Sequence, residues 1–89
     1  MDDKTLKEAR KIVGQYIKAQ RQELGMSRRA VADHCHLHGT QVAGMEDGTI
    51  NYTIDTLMRV AHGMNCQLFI ELRPKATDRD NHDWETLQA

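Results

Sequence analysis

Apolar residues recur at Leu6, Ala9, Val13, Ile17 and Leu24, with Ile12 and Tyr16 flanking them. That spacing predicts a first helix over residues 4–24. Gly14 interrupts its middle and marks a close contact or a bend; Gly25 stands where a helix-ending glycine belongs. Ser27 is an N-cap type of residue, and Ala30, Val31 and Ala32 follow it in a short second helix that breaks near His36-Leu37. A third short helix starts near His38, turns Val42 and Met45 inward from one face, and stops at Asp47-Gly48. After the loop DGTINY, Thr53 can cap a fourth helix, with Ile54, Leu57, Val60, Ala61 and Met64 inward and Asp55 in its first turn. The period then changes to two. In CQLFIEL, Cys66, Leu68, Ile70 and Leu72 fall on one face and Gln67, Phe69 and Glu71 on the other, and Pro74 ends the run.

The predicted architecture is therefore mostly α. Residues 1–64 form a helical domain, 65–73 a single C-terminal β-strand, and 74–89 an acidic tail expected to be flexible. A lone strand has no partner in its own chain, and an unpaired apolar edge invites pairing. The simplest partner is the same strand of a second copy across a two-fold axis, so a homodimer is expected through Cys66, Leu68, Phe69, Ile70 and Leu72. The alternative is that CQLFIEL forms a fifth helix.

The stretch SRRAVADHCHLHGTQVAGMEDG, residues 27–48, has the layout of two short helices joined by a tight turn. In such a unit the second helix can be held outward and laid into a DNA major groove. Charge bears on this only once it is located. The chain of 89 residues has a formal net charge of −1, but residues 1–29 hold eight Lys and Arg against four Asp and Glu, while residues 76–89 hold Arg79 against four acids. A basic body facing phosphate and an acidic tail that does not is one reading; a solvated helix surface is the other. The N-terminus MDDKTLKEARK begins acidic and has no apolar run, so neither a secretory signal nor a membrane span is expected, and a cytoplasmic setting with Cys35 and Cys66 reduced is. No cofactor, small-molecule effector or enzymatic motif is expected. His34, His36 and His38 with Cys35 could hold a metal only if the turn made them converge, since i and i+2 do not share a helix face.

From Val13 to Met64 the chain resembles the Cro/repressor-type helix-turn-helix family, that of the lambda-repressor-like four-helix domain. VGQYIKAQRQELGMS is similar to the family's first helix and turn, VAGMEDG to the end of its recognition helix, and NYTIDTLMRVA to its fourth helix. The resemblance implies a repressor that binds double-stranded DNA at a palindromic operator. It implies an internal ion pair between Arg21 and Glu46 and phosphate contacts from Arg28, Arg29, His38 and Asn51. It also implies a base-reading face of Gly39, Thr40, Gln41, Ala43 and Gly44, on which Gln41 could pair with adenine. The chain departs from the family at His36, where the turn usually has glycine, which suggests a wider turn, and at Tyr52, where proline is frequent. A short repressor domain ending in a strand and a tail is also similar in architecture to the antitoxin half of HipA/HipB-type pairs. That likeness adds a toxin protein as a partner, with Trp84 of the tail as an anchor. A protein-interaction module that keeps the fold, binding through the strand and Trp84, is the other class of function.

Overall fold

The structure, a computed structural model, describes residues 1–75. Four helices follow one another: α1 (Asp3–Glu23), α2 (Arg28–Cys35), α3 (Gly39–Asp47) and α4 (Ile54–Gly63). Three begin with a side-chain cap: Asp2 accepts from Thr5 N–H at 2.9 Å, Ser27 from Ala30 N–H at 3.0 Å and Thr53 from Thr56 N–H at 3.2 Å. α3 differs, because His38 provides no such bond. All four helices end alike, in a residue with left-handed backbone: Gly25, His36, Gly48 and Asn65. The residue after each donates back five positions, closing the last turn: Met26 to Arg21, Leu37 to Ala32, Thr49 to Gly44 and Cys66 to Ala61, at 2.8–3.1 Å. His36 takes the left-handed conformation itself, at φ 58 and ψ 40, so the turn between α2 and α3 is the ordinary tight one and not a widened one.

Ile17, Val31, Ala32, Cys35, Val42, Met45, Val60 and Met64 form the buried core. α3 packs on α1 and α2, and α2 also on α4. The inward positions expected of α3, Val42 and Met45, are buried, and α2 buries Val31 and Ala32 against them. At helix ends the expectation is corrected: Leu6, Ala9 and Leu24 of α1 and Ile54, the first residue of α4, are exposed. For α1 the reason is length. At 1.5 Å per residue α1 runs about 30 Å, while α2, α3 and α4 are each about half that, so both ends of α1 overhang their supports.

Among the described residues there is no β-strand, and 65–73, expected to pair with a second copy, runs on after α4 without strand pairing in the single chain. After Cys66 the segment makes no backbone hydrogen bonds of its own. Cys66 and Leu68 lie half-buried against the domain, whereas Phe69, Ile70 and Leu72 are 80%, 60% and 93% exposed. A ladder needs a second strand, and the described residues of one copy do not supply one. Trp84 lies outside the described residues.

Candidate nucleic-acid interface

One stripe of α1 sets the position of α3. Arg10, Gly14, Ile17 and Arg21 recur at i, i+4, i+7 and i+11, on one helix face. Gly14 lies directly against the backbone carbonyls of Met45 and Glu46; a Cβ there would overlap both. Contact this close brings Arg21 to Glu46. The Arg21 Nε donates to Glu46 Oε2 at 2.6 Å and its Nη2 to Oε1 at 3.1 Å, while Nη1 donates to the Met26 carbonyl at 2.8 Å. This is the ion pair the sequence anticipates, and its carboxylate is fully buried. Burial alone would raise the Glu46 pKa; the hydrogen bonds from Arg21 and Arg28 outweigh it and hold the carboxyl below its ordinary value of 4.5. The same bond to Glu46 raises the Arg21 pKa further.

Arg28 is the second donor to Glu46, through Nε at 3.1 Å, with Nη2 4.0 Å from Asp47. Its guanidinium is 41% exposed, so it faces both the buried carboxylate and solvent. The expected phosphate contact is thus also a structural link between the start of α2 and the end of α3. Sequence reasoning missed this role, because Arg28 and Glu46 lie 18 residues apart and only the packing of α2 on α3 brings them together. It also missed Arg10, whose Nη1 donates to Asn51 Oδ1 at 3.3 Å while its Nε is buried without a partner. The i, i+4 relation of Arg10 to Gly14 could have found it. That bond engages the Asn51 oxygen, while its amide nitrogen makes no hydrogen bond to a described residue.

The other end of α3 is open. Arg29, Asp33, Leu37, His38, Gly39 and Thr40 line a shallow hollow of about 470 Å³ between α2 and the start of α3. Arg29 is exposed and has no ion-pair partner among the described residues. Thr40 and Gln41 are exposed, Gly39 and Ala43 half-buried, and the space where a Gly39 side chain would stand is empty. Gly44 does not belong to the outward face as expected: it is buried under Ile50, whose Cγ2 lies 3.0 Å from where a Cβ would be. Gln41 is held back against its own helix, its Oε1 accepting from the His38 N–H at 2.9 Å. This is half of a capping box and supplies the cap that His38 does not. Two linked short helices, the second buried on one side and bare on the other, make the arrangement that enters a major groove.

A helix-turn-helix family model matches residues 17–69. The chain belongs to the Cro/repressor-type helix-turn-helix family. Among curated proteins none matches it. As a helix-turn-helix protein of this type it is a DNA-binding transcription regulator, with α3 in the place of the recognition helix. Among the described residues no three His, Cys, Asp or Glu side chains come together as a metal site, and no helix is long and apolar enough to cross a membrane. Cys35 is buried, its thiol donating to the Val31 carbonyl at 3.0 Å and pushed up in pKa by burial.

Proposed function

We propose that this helix-turn-helix protein is a repressor that binds a palindromic operator as a homodimer, acting as a binder and not as an enzyme. The observation that carries the DNA reading is α3, clamped at its end by Glu46 and presented bare at its start beside the unpaired Arg29. Arg28, Arg29 and the exposed Asn51 then meet backbone phosphates and fix the register.

The dimer reading rests on a second surface. An apolar groove of about 560 Å³ runs between α1, α4 and the C-terminal segment, lined by residues including Val13, Tyr16, Ile54, Leu57 and Phe69. Tyr16 is 73% and Ile54 57% exposed beside it. The extended segment offers unpaired backbone next to this groove, and a second copy satisfies both at once, strand to strand. Two copies would present two α3 helices about one DNA turn, ~34 Å, apart. The likeness to antitoxins adds a toxin as a further partner through the tail.

Selection of bound duplexes from a random pool tests the reading, together with sedimentation of the free protein at micromolar concentration. An enriched palindrome and a dimer support it. A monomer that enriches no sequence, or a protein that co-purifies through Trp84 while duplexes bind weakly and without preference, supports the interaction-module reading instead.

A further inference from the structure

The proposed DNA reading leaves open which side chain of α3 reads a base, and the helix surface answers that. Successive residues advance about 100° around a helix. Thr40, Ala43 and Asp47 therefore stand within about 60° of one another, opposite the buried Val42 and Met45. Gln41 stands about 100° round from Thr40, on the flank, and its oxygen is engaged by the His38 N–H. Asp47 carries the charge that phosphates repel and sits beside Arg28. Gly39 has no side chain, and Gly44 is covered by Ile50. Thr40 remains: exposed, at the edge of the Arg29 hollow, with no hydrogen bond from its hydroxyl to any described residue.

Its γ-methyl has one apolar neighbour on the same face, the half-buried methyl of Ala43 three residues on, at a Cβ separation of about 5–6 Å. In the major groove the only apolar group on a base edge is the C5-methyl of thymine. We propose that Thr40 and Ala43 together read a thymine through its C5-methyl group, and that Gln41 is a positioning residue that holds the first turn of α3 rather than a reader of adenine. The inference rests on the DNA-binding reading above and names the base chemistry of that site. The bareness of the helix is consistent with it, since Gly39 lets the backbone approach the groove closely enough for two short methyls to reach a base.

The test uses the full chain and a duplex selected from a random pool, with each thymine replaced in turn by deoxyuridine, which removes the methyl and nothing else. One thymine per half-site should show about fourfold weaker binding on replacement, the equivalent of one buried methyl at ~0.8 kcal/mol. Thr40→Ser, which keeps the hydroxyl and loses the methyl, should narrow the difference between the two duplexes, and Thr40→Ser with Ala43→Gly should bind them equally. Gln41→Glu keeps an acceptor for the His38 N–H; it should weaken all duplexes alike through its charge while the preferred base at every position stays the same. Gln41→Ala should lower the Tm with the order of base preference kept, and Gln41→Glu should restore the Tm. A selected duplex with no methyl-sensitive thymine, or a Gln41→Glu variant that changes the preferred base at one position, overturns the inference while the DNA-binding reading stands. Failure to bind any duplex overturns both.

Discussion

The two ends of α3 are built on opposite terms. At the C-terminal end everything is committed: Glu46 is buried with two arginines on it, Gly14 lets α1 press on the backbone, and Gly44 lies under Ile50. At the N-terminal end, Thr40 and Gln41 are exposed, the space beside Gly39 is empty and Arg29 is unpaired. Three helices in the chain carry their own N-cap side chain; the one that faces outward borrows its cap from Gln41. A helix used as a probe needs one end fixed and the other clear, and here the fixing falls on charge and close packing. Substitutions at the fixed end should therefore act on stability, and those at the clear end on binding.

The largest effect is expected at Glu46. Glu46→Ala leaves Arg21, 11% exposed, and Arg28 without their carboxylate, and should cost about 3–5 kcal/mol in denaturant unfolding. The same group sets an acid limit. Because its folded pKa lies below 4.5, its stabilisation is complete above that value and is lost as pH falls through the folded pKa. Melting curves taken down the acid range should fall more steeply below pH 4.5 in the wild type than in Glu46→Gln. Gly14→Ala comes next. A Cβ there meets backbone carbonyls that cannot turn aside, so α3 must shift, at about 3 kcal/mol. If Gly14→Ala were as stable as wild type, the close approach that fixes α3 would be wrong.

At the clear end the effects on stability are smaller. Gln41→Ala should cost about 1 kcal/mol, the worth of a helix cap, read from the unfolding midpoint. His36→Gly should move the other way. It relieves a left-handed residue that carries a Cβ and should gain about 1 kcal/mol while duplex binding is kept.

Much of this was legible in the sequence. Caps at Ser27 and Thr53, stops at Gly25 and Gly48, and the inward Val31, Val42, Met45 and Val60 follow from spacing and turn chemistry that are local in the chain. The Arg21–Glu46 pair was legible through family resemblance. What was not legible depends on how far neighbours reach. Periodicity says which way Leu6 and Ile54 point, not that nothing stands opposite them. Gly44 lies on the outward side of α3 by angle alone, and only the path of the following loop puts Ile50 over it. Arg28 was read as a phosphate contact alone because its carboxylate partner, Glu46, lies 18 residues away in the chain. The alternation of CQLFIEL predicts a strand, but a strand is a property of two segments, and the described residues of one copy supply only one.

Arg29 separates the two ends most directly, since it lies at the clear end and its side chain makes no hydrogen bond or ion pair with a described residue. The decisive measurement is the salt dependence of affinity for the selected duplex, for wild type and Arg29→Ala, alongside their unfolding midpoints. The account predicts weaker binding to every duplex, a slope of log affinity against log salt shallower by about 1, and an unmoved midpoint. Identical slopes with a lowered midpoint would contradict it.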